Sequence, residues 1–405
     1  MRAAEIRNLL VIGVDLIPLV KSAKKAGYNV YCVDFFGDYD LNLIADGVYV
    51  VAKPGKDHSL PRLSSEFDPE KFLEGAREVS TRKRIDAILL SSGFDDSPRI
   101  LEDLSKISEI LGNDPETFRK VRNKEFFFRN VENLGLKIPE SCVVKEMDEA
   151  LQAGEKIGYP VIIKPVDGFG GFGVKLVRDS GQMIHFMKDI LPGSEMVIQR
   201  YVPGIPASVS VISNGREATA LTVNEQLIGL KRFGQKKRFG FSGNIVPLEA
   251  AECVIEKCKE VAEKVVAFFG LKGSNGVDIV ISEDCEPWII EVNPRFQSTL
   301  ECVETVLGIN LVDTHINSCL TGNLPEEIDH PSCFCTRIIL YAPFRSSIPD
   351  LRCYSHLRDI PYPGAIIEEG EPLCSIIWSG SNRDSSFLGA EKAADKIIRL
   401  LKPAI

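Results

Sequence analysis

No stretch of this chain approaches the roughly 18 consecutive apolar residues that a membrane-spanning helix needs, so no transmembrane helix and no membrane partner is expected. No two of its eleven cysteines stand in C-x-x-C spacing, and only Cys333 and Cys335 lie close together. That argues against a zinc or iron–sulfur site. The odd, scattered set reads as mostly buried small hydrophobes in a reducing cytosol, which places the protein in the cytoplasm. A lone Gly13 stands where G-x-G-x-x-G would be needed, so the dinucleotide fingerprint is absent. Basic charge is not in excess: 48 Lys+Arg against 57 Asp+Glu leave a net charge of −9, which argues against a nucleic-acid surface. Residues 1–7 lead straight into a short apolar strand and do not read as a signal peptide. There is no internal repeat and no low-complexity tract.

What remains is the composition of a globular protein, 44% hydrophobic and 26% charged over 405 residues, enough for about two or three domains. The opening reads β-α-β, with strands at 9–13 and 30–34 around an amphipathic helix at 17–26, and a further strand at 87–90 that ends in Ser91, Ser92, Gly93, Phe94 and Asp95. Such alternation implies a parallel, doubly wound sheet ending near residue 112. Asp34 closes the second strand as a ribose-binding acid would, but without the glycines a structural or substrate-side role fits better.

Helices rich in Phe, Lys and Arg are expected over 115–134, then a strand at 141–144 and a helix at 148–157 capped by Asp148. A strand at 161–165, a glycine-rich turn and a strand at 175–177 make a hairpin able to fold over a ligand. Strands at 196–202, 208–212 and 218–223 follow, then a long helix over 250–269 and strands at 276–281 and 288–292. The remainder holds a helix at 311–320, short strands at 335–340 and 373–378, and a final amphipathic helix over 388–401.

One stretch carries chemistry. The apolar run from Trp288 ends in Glu291, Asn293 and Arg295, one at every second position. Alternate residues of a strand share a face. Asp278, on the strand before, can join them. Two carboxylates and an amide are hard oxygen ligands suited to Mg²⁺ holding a polyphosphate. The neighbouring arginine suits a transferred phosphate or an acyl-phosphate. The residues therefore point to a nucleotide-dependent enzyme, against the alternative of a structural Glu291–Arg295 ion pair.

Four pieces stand in order: Asn123–Lys124, Lys164 before the glycine turn, the strand ending Gln199, Arg200, Tyr201, Val202, and the Asp278/Glu291/Asn293/Arg295 group. That order resembles the ATP-grasp superfamily of carboxylate–amine ligases, and locally a group of archaeal ATP-grasp carboligases related to biotin carboxylase. The resemblance implies an α/β and α+β ATP-grasp fold: a doubly wound pre-ATP domain over 1–112, a two-part ATP clamp over 113–325 with its lid at about 140–205, and a small β-rich C-terminal segment with a final helix over 326–405. It implies an ATP-dependent ligase of the cytoplasm that activates a small-molecule carboxylate as an acyl-phosphate and couples it to an amine, in a homodimer and in a setting such as cofactor biosynthesis. Two alternatives stay open: an ATP-binding regulatory protein without activity, and a biotin-carboxylase-like carboligase acting on a separate partner. By the same resemblance Lys124, Lys164, Gly170, Gly171, Gly173, Gln199, Arg200 and Val202 bind ATP. Asp278, Glu291 and Asn293 hold Mg²⁺ or Mn²⁺, and Arg295 with Lys164 serves the transferred phosphate. Two positions depart from the common pattern: Gln199 stands where an acid is frequent, and Asp278 is shorter than the usual glutamate. Phe169 and Phe172 are expected to shield the glycine turn. Gln297, Ser298 and Glu301, with Lys231 and Arg232 of a basic run, are the expected acceptor-side contacts.

Overall fold

The computed structural model describes residues 6–168, 170–190 and 193–404. Phe169 lies outside these, as do residues 1–5 of the N-terminal reading.

The first sheet is parallel, with strands β1 (Asn8–Gly13), β2 (Asn29–Asp34), β3 (Gly47–Val50) and β4 (Ala87–Leu90) in the order β3-β2-β1-β4. The near-unbroken apolar run of β1 reflects burial on both faces. Leu9 and Val11 enter one core with helix Ile17–Lys25, while Leu10 and Ile12 enter another with helices Pro69–Arg82 and Pro98–Ser105. This is the doubly wound arrangement expected. Asp34 is buried and accepts the backbone N–H groups of Phe36 (3.0 Å) and Gly37 (2.6 Å), so its carboxylate fastens the turn after β2.

A second, antiparallel sheet contains β5 (Ser141–Val144), β6 (Val161–Pro165), β7 (Lys175–Val177) and β8 (Met196–Arg200), in the order β5-β8-β6-β7. Helices Met147–Ile157 and Ser180–Lys188 share its core. The first of these is capped by Glu146, in a capping box with Glu149, rather than by Asp148 as expected. Two side chains that reciprocally satisfy backbone donors outcompete a single aspartate cap.

The third sheet dominates. Strands β9 (Gly204–Asn214), β10 (Ala218–Ile228), β11 (Phe241–Val246), β12 (Lys272–Ser282), β13 (Pro287–Asn293) and β14 (Phe334–Tyr341) belong to it. Short strands β15 (Ser346–Ser347), β16 (Leu357–Arg358) and β17 (Ile366–Ile367) precede β18 (Pro372–Gly380) and β19 (Lys402–Pro403). The eight-stranded order is β13-β12-β9-β10-β11-β14-β18-β16, so the long strands of the C-terminal segment continue the large sheet; β17, β15 and β19 form a small one. Helix Glu252–Phe268 covers one face. Helices Leu300–Leu307 and Leu311–Thr321 fill the space between the large sheet and the first one, in a core that holds Leu9 and Leu19 together with Ile212 and Val246. Among the described residues no helix is long and apolar enough to cross a membrane.

The eleven thiols are free, and five are buried: Cys32, Cys258, Cys302, Cys335 and Cys374. Cys253, Cys285 and Cys353 are exposed, so fewer are core residues than expected.

His315 joins the layers. Its Nδ1 accepts the N–H of Ser274 (2.8 Å) on β12, and its Nε2 lies 3.0 Å from the carbonyl of Leu111. Burial holds its pKa down to about 4. The depressed value means that the folded state resists the proton the unfolded chain takes up near pH 6.5, so stability present above that pH is lost as pH falls toward 4. Replacing His315 with Asn should remove this acid-sensitive component, on the order of 3 kcal/mol. Urea titrations of both proteins between pH 4 and 7 measure it.

Candidate active site

β12 and β13 pair antiparallel with Asp278 opposite Glu291 and Gly276 opposite Asn293, and the register shifts just after Asp278. An irregularity of this kind re-aims side chains. Asn293 Nδ2 donates to Asp278 Oδ2 (3.0 Å), and Gln226 Nε2 of β10 donates to the other oxygen (2.9 Å). Glu291 Oε2 lies 3.5 Å from Lys124 Nζ and 3.9 Å from an Arg122 guanidinium nitrogen.

The two carboxyls titrate apart. Burial would raise Glu291, but Lys124, Arg122 and Lys164 outweigh it and hold this group at about 2. Burial, then the charge of Glu291, push Asp278 up to about 7 despite hydrogen bonds from Asn293 and Gln226. Two adjacent carboxylates cannot both ionise cheaply unless a cation joins them. Among the described residues there is no cage of three or more His, Cys, Asp or Glu side chains. Two carboxylates and an amide open to a cavity nevertheless suit a hard divalent ion that keeps water or phosphate oxygens as its other ligands.

Arg295 Nε contacts both oxygens of Asp95 at 2.9 Å, and Asp95 lies just beyond β4, so the first sheet positions this guanidinium. Its other nitrogens reach the Phe296 carbonyl (3.0 Å) and Asn293 Oδ1 (3.5 Å). Lys124 opens helix Lys124–Asn133, which Asn123 caps through the Phe126 N–H. Lys164 projects from β6 to Gln199 Oε1 (3.1 Å), while Gln199 Nε2 donates to Ser141 Oγ (2.9 Å). Burial, then repulsion from Lys124, bring Lys164 down to about 8. Burial also lowers Lys124. Removal from water thus weakens both lysines' hold on their protons, a deficit that an added phosphate charge would correct.

The glycine turn is tied at both ends. The Gly168 N–H donates to Asp96 Oδ2 (2.9 Å), and Asp96 binds Arg122 Nε (2.6 Å). The Phe241 N–H donates to the Gly170 carbonyl (3.3 Å), and Lys237 Nζ sits 3.0 Å over the Phe172 ring. Gly171 has φ +76°, and a Cβ there would stand 2.0 Å from the Phe239 carbonyl oxygen. Only glycine permits this contact.

Beneath the turn lies a cavity of about 380 Å³. Its wall includes Gly170, Gly171, Asp278, Glu291, Asn293, Arg295, Gln297 and Ser298. Glu291 remains 31% exposed, so its carboxylate is reachable. Lys124 and Lys164 stand outside the wall; both act on Glu291, and Gln199 holds Lys164. Gly173, Arg200 and Val202 are not in the wall, and Arg200 pairs with Glu140 at the surface.

Three expected acceptor-side residues are elsewhere. Glu301 is clamped by Arg358 through both carboxylate oxygens and by Lys21 (2.6 Å), because the helix beginning at Leu300 turns it away from the cavity. Arg232 pairs with Glu391 and stacks on Phe233 and Phe387, and Lys231 is exposed on the same short turn. Lys237 of that basic run lines the cavity instead. Sequence reading also gave no role to Asp95, Asp96, Arg122 and Arg337. Arg337 alone carried a signal, a charge inside the apolar run of β14.

Fold and site together set a carboxylate pair and a glycine turn on one cavity. Residues 121–299 match the ATP-grasp domain family. An uncharacterised protein of Methanocaldococcus jannaschii is 29% identical over 373 residues, covering 91% of this chain and 87% of that protein. The carbamoyl phosphate synthase large chain of Pyrococcus furiosus is 25% identical over 225 residues, 55% of this chain but only 20% of that protein's length. Among solved structures, biotin carboxylase from Campylobacter jejuni, in complex with β,γ-ATP, superposes with TM-score 0.75 at 18% identity over 99% of this chain and 93% of that one. At that identity the superposition speaks for the fold.

Gly171→Ala should cost about 1–2 kcal/mol of stability through left-handed strain alone. It should also part the turn from residues 239–241. Hydrogen exchange should then speed up at the Phe241 amide, and unchanged protection there would contradict the contact.

Proposed function

We propose that the protein is an ATP-dependent ligase that phosphorylates a carboxylate and joins the resulting acyl group to an amine. The observation that carries this reading is the convergence of Asp278, Glu291, Asn293 and Arg295 on one cavity wall, with Lys124 and Lys164 acting on Glu291 from outside it. In this reading the ATP phosphates lie between that wall and the glycine turn, and the unit at about 140–205 moves as the lid.

Asp278, Glu291 and Asn293 would hold Mg²⁺ or Mn²⁺, which would neutralise negative charge during phosphoryl transfer. Arg295, fixed by Asp95, presents the rest of its fork to the transferred phosphoryl group. Lys164 and Lys124 add positive charge beside the polyphosphate. An oxygen of the substrate carboxylate forms the new P–O bond as ADP leaves. The amine, in its neutral form once an ammonium has given a proton to a neighbouring carboxylate, then attacks the acyl carbon; phosphate departs with the C–O electron pair and takes up the proton lost from nitrogen. Hydrolysis competes with that second step, so the tethered glycine turn and the aromatic rings of Phe172 and Phe239 serve to keep water out. The cavity admits small molecules only, in line with small carboxylate and amine substrates.

The test is ADP release across a panel of carboxylates and amines, followed by mass spectrometry of the product. Wild type should release ADP in the presence of its substrates. Glu291→Gln, which keeps shape and removes charge, should slow release by about 10²–10³-fold. Wild type that binds no nucleotide in the presence of Mg²⁺ would overturn the reading.

A further inference from the structure

The cavity extends past Arg295 to the residues that follow β1 and β2 and to the loop after β16, where Asp15, Asp38 and Asp359 line it. Asp34 and Asp40 stand close behind, and the charges of all four other aspartates act on Asp38.

Four of these five carboxylates are satisfied. Asp15 takes both outer nitrogens of Arg337 (2.7 and 2.9 Å), and Asp359 takes one of them at 3.2 Å. Asp34 holds the Phe36 and Gly37 amides, and Asp40 accepts the Ile360 N–H at 2.9 Å. Arg358, the next nearest cation, is engaged by Glu301.

Asp38 has nothing. It is only 8% exposed, and no hydrogen bond or ion pair of its side chain is found among the described residues. It occupies the N-cap of helix Tyr39–Ile44 without capping it. An aspartate there ordinarily turns its carboxylate back to the helix amides; this one faces the cavity. Burial and the surrounding carboxylates push its carboxyl well up, as expected of a site short of one positive charge.

We propose that Asp38, backed by Asp15 and Asp359, seats the ammonium group of the amine substrate. This deepens the ligase reading and rests on it. An organic cation fits better than a second metal ion. A metal would need several free oxygens, whereas one free carboxylate suffices for an ammonium. The neighbouring wall is apolar, formed by Phe36, Leu60, Leu63 and Pro361, and accepts a hydrocarbon body. The ammonium seat and Arg295 share one enclosure, which would bring the amine toward the acyl-phosphate.

Calorimetric titration of the full chain with n-butylammonium and phenethylammonium, against 1-butanol and 2-phenylethanol, tests this. Wild type should prefer each ammonium over its alcohol by about tenfold or more. Asp38→Asn should abolish that preference while unfolding cooperatively. No preference in wild type overturns the proposal even if the variant fails to fold. A preference retained by Asp38→Asn overturns it too, as does Mg²⁺ alone displacing the amine in an Asp38-dependent way. A parallel Mg-ADP titration keeps the two readings apart. Failure there removes the ligase proposal, and the ammonium titration stands or falls by itself.

Discussion

Everything at the candidate site depends on Asp278 and Glu291 facing one another across β12 and β13. Two carboxylates in a recessed place repel, and the rest of the site is arranged around that repulsion. Helix Lys124–Asn133, strand β6 and the helix that ends at Arg122 each bring a cation to Glu291. These elements belong to different parts of the molecule, so the charge pair gathers the sheet of β5, β6, β7 and β8 and its linking helices against the large sheet. Arg295 extends the network to the first sheet through Asp95. Only Asp278 is left undercompensated, which makes it the group whose ionisation a bound divalent ion would complete.

A second joint works at the other end of the cavity. Arg337, 1% exposed, leaves β14 to grip Asp15, Asp359, Ser375 and the Ser298 carbonyl. Removing one partner of such a buried pair typically costs about 3–5 kcal/mol, because the other charge is stranded. The joint therefore fixes the cavity's distance from the first sheet, while His315 and the shared apolar core hold the same two layers together nearby. These contacts fix the width of the enclosure on two sides.

Much of this was legible in the sequence, and the limits were physical. Strands β4, β5, β6 and β7 stand at the residues that their apolar runs indicate, because strand length is written locally in side-chain type. Glu291 and Asn293, which the period of two puts on one face, both line the cavity. Helix Pro69–Arg82 escaped, although its Asp68 cap and Pro69 were readable signals, because its exposed face is so polar. Glu301 shows where the local code ends. It lies six positions beyond Arg295, yet the chain reverses in between and a new helix sends it to Arg358. The Asp95 partner of Arg295 and the Asp15 partner of Arg337 are 200 and 322 residues away in sequence. No periodicity reports a contact of that separation.

The cavity that results carries buried charge at both ends. Arg295 and Arg122 line one part beside Asp95, Asp278 and Glu291, with Lys124 and Lys164 behind Glu291; Asp15, Asp38 and Asp359 line the other, where Arg337 pairs with Asp15 and Asp359. Charges of one sign gathered in a recess weaken the fold unless a ligand supplies their counterpart, and proteins tolerate such arrangements chiefly where a ligand is bound. Both ends strain their charged groups: Lys164 is lowered and Asp278 raised at one, and Asp38 is raised at the other. Rearranged internal pairing cannot relieve it, since Asp38 sits at a helix N-cap beyond β2 of the first sheet and Lys164 on β6 of another. In the proposed ligase, a metal-bound phosphate at one end and a cationic substrate at the other would relieve both.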